Sequence, residues 1–154
     1  MTPVVFLAIL LTVPEGLVVT DPALINVCER VPGADVATAF GLALRSQKPV
    51  VYKDSGISRC VYILGPADKP TAPTAGLILW LHTAKEYGEL NKVTEAKLEP
   101  VPGLGDEAVR FQDAGDGRHK LRVLRKGRFS IEATAADAAS AQTLAKLALE
   151  RFDR

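Results

Sequence analysis

The chain has 154 residues, of which 47% are hydrophobic and 24% are charged, and its formal net charge at pH 7 is +1. This profile is typical of one folded globular domain and excludes a disordered or fibrous chain. Because positive and negative charges nearly balance, composition alone indicates no nucleic-acid, anionic-membrane or acidic partner, and only local clusters of charge remain to be considered.

The amino-terminal part contains the hydrophobic run of a signal peptide. Residues 4–13 are continuously apolar, the run is too short to span a bilayer, and a Pro-Glu-Gly sequence interrupts it. We therefore interpret residues 1–20 as a signal peptide or amino-terminal apolar segment, cleaved before Asp21, and residues 21–154 as a single domain. Against this interpretation, no Lys or Arg follows Met1 and no small-x-small cleavage site is present. The alternative that residues 4–13 form a buried strand or helix of the domain stays open.

Cys28 and Cys60 are the only cysteines of the chain. In an exported protein they would pair, close a loop of about 32 residues and stabilise the fold by about 3–4 kcal/mol. In the cytosol they would be two buried thiols. The chain has no C-x-x-C motif, which argues against redox catalysis and against a Cys-rich zinc site, and no small residue precedes Cys28 as a lipobox requires. We expect an extracytoplasmic protein, periplasmic or secreted, whose mature chain has no transmembrane span.

The first two thirds of the chain alternate helices and strands. The patterning predicts helices at residues 23–30, 36–44 and 84–91, and strands at residues 50–52, 60–64 and 77–83. Asp35 is a candidate cap for the second helix. Because both faces of residues 77–83 are mostly apolar, we expect this strand in the interior of a sheet.

The last third of the chain predicts three strands and a closing helix. The strands lie at residues 107–112, 121–126 and 129–135, and the helix, capped by Asp137, runs through Phe152. Alternation in residues 129–135 predicts one buried and one wet face. Helices at both ends of a run of hairpin-connected strands predict an α+β sandwich with a mainly antiparallel sheet, packed by helices from the amino- and carboxy-terminal parts. The element order also permits an internal duplication, residues 23–94 and 95–154, which no residue-level repeat supports.

Four stretches of the sequence resemble a known bacterial family. They are CERVPGADVATAFG at residues 28–41, Cys60 with the aromatic Tyr62, VPGLGDEAVRF at residues 101–111, and LRVLRKGRFSIEA at residues 121–133 with the Ala/Leu helix that follows. Together they resemble, over residues 21–154, a family of small secreted lipoprotein domains of unknown function that is known from actinobacterial envelope proteins. The Gly-Leu-Gly-Asp-Glu-Ala run is the most specific piece. The resemblance implies a Cys28–Cys60 disulfide and no catalytic residue.

No motif in the chain predicts a catalytic, metal or cofactor site. Gly103 and Gly105 follow a proline and precede a strand, which favours a turn with positive φ, tied locally by Asp106, over a phosphate-binding loop. His82 in a strand and His119 in a loop have no partners at metal-ligand spacing. The acidic residues available for a catalytic carboxylate pair are more simply solvated charges: Glu86, Glu89, Glu95, Glu99, Asp106 and Glu107. We expect no cofactor, no bound metal and no catalytic residue.

Basic residues cluster around the carboxy-terminal hairpin. They are Arg110, Arg118, Lys120, Arg122, Arg125, Lys126 and Arg128, against only Asp113 and Asp116. Alternation puts Arg122 and Lys126 on one face, and with Arg128 these residues are candidates for anion binding. One interpretation is an edge hairpin that its charges keep soluble and unpaired. The other is a surface for an anionic envelope component; we expect no nucleic acid, because Phe111 and Phe129 are better used in the core than as stacking platforms.

The sequence favours a small exported α+β domain that acts as a non-catalytic binding or interaction module of the cell envelope. Its partner would be an envelope protein or an anionic envelope component. The alternative is a small hydrolase-type enzyme whose site is assembled from scattered residues. A deep pocket lined by Trp80, His82 and two or more carboxylates would favour that alternative.

Overall fold

A computed structural model describes residues 16–154 of the chain. The predicted apolar run at residues 4–13 lies outside the described residues. Within residues 16–154 the chain forms four α-helices, seven β-strands and two short 3-10 helices, Pro22–Leu24 and Lys53–Ser55. None of the helices in this part is both long enough and apolar enough to cross a membrane.

The helices and strands follow the predicted order, with one further strand, Glu99–Pro100, that was not predicted. The helices are α1 (Val27–Arg30), α2 (Gly33–Phe40), α3 (Ala84–Val93) and α4 (Ala138–Phe152). The strands are β1 (Ala43–Tyr52), β2 (Ile57–Gly65), β3 (Ala75–His82), β4 (Glu99–Pro100), β5 (Glu107–Gln112), β6 (His119–Arg125) and β7 (Phe129–Ala135). The largest difference concerns α2 and β1. Gly41 adopts φ +63° and ends α2, so the predicted helix stops short of residue 44 and β1 begins at Ala43.

All seven strands form one antiparallel sheet in the order β1-β2-β3-β7-β6-β5-β4. Helices from the amino- and carboxy-terminal parts pack on this sheet, which confirms the α+β sandwich. β3 is an inner strand, as its apolar faces predict. β1 and β4 are the edges, so the β6–β7 hairpin is internal and its interpretation as a charged edge is wrong. Two three-stranded meanders, β1-β2-β3 and β5-β6-β7, meet at β3 and β7, an order compatible with a duplication.

Local hydrogen bonds explain where the helices begin. The Ser140 amide donates to Asp137 Oδ1 at 2.8 Å, which confirms Asp137 as the cap of α4. α3 begins with a capping box, in which Thr83 and Glu86 exchange side-chain-to-backbone hydrogen bonds. The predicted cap of α2 is wrong: the helix begins after Pro32, and Asp35 lies in its first turn.

One surface of the sheet, here called the first face, carries the apolar core. Its side chains from the inner strands are Cys60, Tyr62 and Leu64 of β2, Leu77, Leu79 and Leu81 of β3, Leu121 and Val123 of β6, and Phe129, Ile131 and Ala133 of β7, all of them buried. Helices α1, α2 and α4 pack against this face. A disulfide joins Cys28 of α1 to Cys60, with the Cα atoms 5.1 Å apart, and confirms the predicted pair.

The opposite surface, here called the second face, is partly polar. One row of cross-strand neighbours runs Arg59, Trp80, Glu132, Arg122 and Val109 from β2 to β5. Helix α3 packs on β6 and β7 from this side. Every residue of β7 is therefore buried, and the predicted wet face of that strand is wrong. Local alternation identified the polar residues correctly but could not show that a helix covers them.

The segment before Asp21 contacts the domain. Val19 is buried in the core, and its amide donates to the Arg128 carbonyl oxygen at 2.8 Å. The Arg128 guanidinium in turn donates from Nε to the Leu17 carbonyl oxygen at 3.2 Å. A chain that began at Asp21 would lose these contacts, so the structured domain extends at least to Leu17.

Candidate functional site

A cleft of about 480 Å³ opens between the start of α4 and strands β4 to β6; we call it the α4 cleft. Its apolar lining on the α4 side comprises Val101, Leu121, Ala138 and Ala141. Leu121 and Ala141 are 3% and 2% exposed, so they join the cleft directly to the core. A cavity of this volume accommodates a small organic molecule.

The position of α4 on the sheet creates the cleft. This helix packs on β6 and β7, whereas β5 and the two-residue β4 extend the sheet beyond it. In the register of the sheet, Glu99, Arg110 and Leu121 are cross-strand neighbours and share the first face. The side chains beside α4 therefore form a polar wall opposite the helix and an apolar floor beneath it.

Three basic residues and one acidic residue line the α4 cleft: Lys97, Arg110, Lys120 and Glu99. Arg110 and Glu99 share the first face with Leu121, whereas the Lys120 side chain lies in the second-face row with Thr134. Arg110 Nε donates to Glu99 Oε2 at 3.0 Å, but both side chains are about half exposed, so water weakens this pair. Lys120 Nζ lies 3.1 Å from Asp113 and 3.8 Å from Glu132. Within residues 16–154, Lys97 has no acidic partner within ion-pair distance. The cleft consequently carries an excess of positive charge.

Asp137 lies beside the cleft but is committed to the fold. Hydrogen bonds from the Ser140 amide and hydroxyl lower the pKa of Asp137, with a smaller contribution from the charge of His119. His119 begins β6 and lines the cleft. Because the Asp137 carboxylate caps α4, its negative charge is already matched by the helix.

A buried ion pair lies on the second face beneath α3. Arg122 Nε donates to Glu132 Oε2 at 2.6 Å, and both side chains are less than 10% exposed. Arg122 Nη1 also donates to Asn91 and Thr94, at 3.0 and 2.6 Å. The Arg122 guanidinium lies 4.6 Å from the centre of the Phe111 ring. This network fastens the end of α3 to the sheet.

The hydrolase alternative requires a nucleophile near His82. Ser130 is the cross-strand neighbour of His82, and Glu86 lies 3.9 Å from His82 Nδ1. The Ser130 hydroxyl, however, is buried and donates to the Thr83 carbonyl oxygen at 2.9 Å, away from the imidazole. Glu86 is occupied by the capping box of α3. These groups hold α3 in place and do not present an attacking hydroxyl.

The structure separates the three predicted anion-binding residues. Arg122 is buried beneath α3, so the expectation that it is an exposed cation on one face with Lys126 is corrected. Arg128 packs by the end of α4, where Nη1 lies 2.9 Å from Asp153, and its side chain is 13% exposed. Lys126 is exposed and lies 3.3 Å from Glu107. Anion binding at Lys126 stays a prediction.

The glycine turn before β5 is confirmed. Gly103 and Gly105 have φ of +75° and +61°, and a Cβ atom at Gly105 would lie 2.4 Å from Val123 Cγ1. The predicted local role of Asp106 is wrong: its Oδ2 accepts a hydrogen bond at 2.8 Å from the amide of Lys126, which follows β6. No group of three or more His, Cys, Asp or Glu side chains in the described part of the chain is placed to hold a metal ion.

No protein-family model, no curated protein and no solved structure matches this chain. The resemblance to small secreted lipoprotein domains therefore stays a prediction. The Cys28–Cys60 disulfide that it implies is present. The functional argument rests on the contacts of the chain itself.

Sequence reasoning missed the α4 cleft. Its ionisable residues come from four separate places: Lys97 before β4, Glu99 in β4, Arg110 in β5, and His119 and Lys120 in β6. Arg110 and Lys120 did belong to the basic cluster around the hairpin, which was the one available signal. That cluster could not identify the cleft, because nothing in a single sequence shows where the start of α4 lies relative to β5.

Proposed function

We propose that this chain is an exported, non-catalytic binding module of the cell envelope, and that its α4 cleft takes a small ligand with an apolar part. The observation that carries the proposal is the cleft itself, about 480 Å³ in volume, with an apolar floor and charged side chains at its rim. A concave apolar site with a few polar groups that orient the ligand is the usual form of a small-molecule site.

The export part of the proposal is supported by the Cys28–Cys60 disulfide. Disulfides persist in oxidising compartments and are rare in the cytosol. The apolar run at residues 4–13 predicts the same compartment. Thiol counting on denatured, non-reduced protein from its native host should find no free thiol, and two free thiols would contradict export.

The non-catalytic part is supported by the roles of the buried polar groups. Glu132 is paired with Arg122, and the hydroxyl of Ser130 is bound to a backbone carbonyl oxygen. A catalytic base or nucleophile needs a free position next to the reacting atom. The buried network instead joins α3 to the sheet, which is a structural task.

Nuclear magnetic resonance tests whether the α4 cleft binds small molecules. We expect weakly binding apolar compounds from a fragment library to shift the backbone amide signals of β5, β6 and the first turn of α4. Ala138→Trp should fill the cleft and abolish these shifts, because Ala138 lines it. Ala139→Trp is the matched control, since Ala139 is the next residue of the same helix turn and is exposed.

Two results would contradict this proposed site. Shifts confined to residues outside the cleft would place the ligand elsewhere. Shifts at the cleft that persist in the Ala138→Trp variant would show that the compounds bind its outer surface and do not enter it.

A further inference from the structure

We propose that the ligand of the α4 cleft is a small organic anion, whose charged group meets Lys97 and Arg110 and whose apolar body lies on Leu121 and Ala141. This inference rests on the proposed function, since it names the ligand class for the same cleft. The juxtaposition that carries it is an excess of cationic side chains over a floor that is continuous with the apolar core.

The charges of the cleft favour a negative ligand over a positive one. Lys97 has no acidic partner within ion-pair distance among residues 16–154, and Arg110 is held by a half-exposed pair with Glu99. A water-exposed pair of this kind is weak, so the Arg110 guanidinium can turn to a carboxylate, sulfonate or phosphate group. A cationic ligand would find only Glu99, and it would have to displace Arg110 first.

Lys120 is assigned a smaller part in anion binding. Its ammonium is 3.1 Å from Asp113 and 3.8 Å from Glu132, and two carboxylates already neutralise it. The hydrogen bond from Lys120 is the largest contribution that lowers the pKa of Asp113, so this carboxylate stays ionised beside it. The anion site therefore lies on the Lys97 and Arg110 side of the cleft.

The apolar floor of the cleft favours an apolar group at the end of the ligand away from its charge. Leu121 and Ala141 are almost fully buried, and Val101 and Ala138 widen the apolar surface around them. Burial of apolar ligand surface on this floor contributes in proportion to the area removed from water. A small inorganic anion would leave the floor wet, so the inference specifies an anion that carries an apolar body.

Two fluorescent probes with the same ring system separate the contribution of the ligand's charge from that of its apolar body. The anionic probe is 1-anilinonaphthalene-8-sulfonate, and the neutral probe is N-phenyl-1-naphthylamine, which lacks the sulfonate. We expect the full chain to bind the anionic probe at least tenfold more tightly at low ionic strength. This preference should shrink at physiological salt, because mobile ions screen the partly exposed charges.

Charge substitutions then locate the preference. Lys97→Gln combined with Arg110→Gln should weaken the affinity for the anionic probe by about tenfold or more, since hydrogen bonds to charged groups are the stronger ones. The affinity for the neutral probe should stay within about twofold of the wild-type value. Glu99→Gln should have the opposite effect and raise the affinity for the anionic probe by about two- to threefold, because it removes the carboxylate that pairs with Arg110. The matched control is Lys85→Gln with Lys146→Gln, which removes the same charge from exposed positions outside the cleft.

The outcomes distinguish this inference from the proposed function. If Ala138→Trp blocks both probes but they bind the wild-type chain equally, the cleft binds small molecules and the anion preference is overturned. If the control pair weakens the anionic probe as much as the cleft pair, the preference reflects net charge alone and the inference is overturned. If neither probe binds, or if Ala138→Trp has no effect on binding, the proposed function fails together with the inference.

Discussion

The two faces of the sheet are built by different rules. The first face is mainly apolar from β2 to β7 and is covered by α1, α2 and α4. The second face carries the row Arg59, Trp80, Glu132, Arg122 and Val109, of which Arg122 and Glu132 are buried beneath α3. On the first face, the stabilisation gained by burial depends on the apolar area removed from water and on how well the side chains pack. On the second face, burial is favourable only where each charged side chain is paired and hydrogen-bonded.

This difference explains why the basic hairpin does not form one cationic surface. Its alternating residues belong to both faces: Arg128 lies near the end of α4, and Arg122 lies under α3. A charge that is buried and paired attracts an external anion only weakly. At the α4 cleft, beyond the area that the helices cover, the exposed positive charges are Lys97 and Arg110, and Arg110 is held only by the half-exposed pair with Glu99.

The largest expected effect comes from breaking the buried pair. Glu132→Gln leaves the Arg122 guanidinium buried without its counter-charge, and we expect the free energy of unfolding to fall by about 3–5 kcal/mol. Urea unfolding at pH 7, followed by circular dichroism, measures this change. The double variant Arg122→Met with Glu132→Leu should recover most of the loss, because apolar side chains can replace a buried pair at little cost.

The corresponding change on the first face is Leu79→Ala. We expect it to cost about 2–5 kcal/mol, with no compensating charge variant available, because it leaves a cavity among α4, β2 and β7.

A cost below about 1 kcal/mol for Glu132→Gln would show that water reaches the pair. The distinction between the two faces would then be lost at that position.

The disulfide gives the next effect in size, because it ties α1 to the first face. Cys28→Ser with Cys60→Ser should lower the free energy of unfolding by about 3–4 kcal/mol, the value for a loop of this length. Unfolding of wild-type protein with and without reductant measures the same quantity independently. If neither comparison shows a loss above about 1 kcal/mol, the helices hold α1 in place without the bond.

The amino-terminal contacts are the third test of the first face. The free energy of unfolding of a chain that begins at Asp21 should be about 2 kcal/mol lower than that of a chain that begins at Leu17. The shorter chain lacks the buried Val19 side chain and the hydrogen bond from the Val19 amide to the Arg128 carbonyl oxygen. Equal stability of the two chains would show that Leu17 to Thr20 lie on the domain without supporting it. In that case the predicted boundary before Asp21 would hold.

How much of the fold was predictable also differs between the faces. Alternation in β3 and β7 identified the residues of the first face correctly, because Leu77, Leu79 and Leu81 repeat at the period of a strand. The same alternation misread β7, since Glu132 has the pattern of a solvated residue and only the packing of α3 buries it. β1 was predicted too short because its exposed edge carries Arg45, Lys48 and other polar residues with little strand preference.

The candidate site was predictable only in its fragments. Outside the cleft, the Cys28–Cys60 pair could be predicted only on the condition of export or from the family resemblance, because two cysteines in a cytosolic chain would be buried thiols. Lys97 and His119 could not be brought together, since they are far apart in the chain and neither belongs to a motif. Their proximity depends on the register of β4, β5 and β6, which local sequence signals do not determine.

The smallest predicted effect is a pH dependence from His82 on the second face. Burial lowers the pKa of His82 below its ordinary value of 6.5; the acidic Glu86 and Glu132 oppose this shift, and the charge of Arg122 adds to it. Below about pH 6.5 the unfolded chain therefore binds a proton that the folded chain binds only at lower pH, so stability falls as the pH falls towards 5. His82→Gln should reduce this loss, as measured by urea unfolding at pH 7, 6 and 5. Glu86→Gln, which keeps the capping box, should make the loss steeper because it removes the carboxylate that favours protonation. If the slope in His82→Gln equals that of wild type, the acid sensitivity of the fold arises elsewhere, and the second face contributes no titrating group to it.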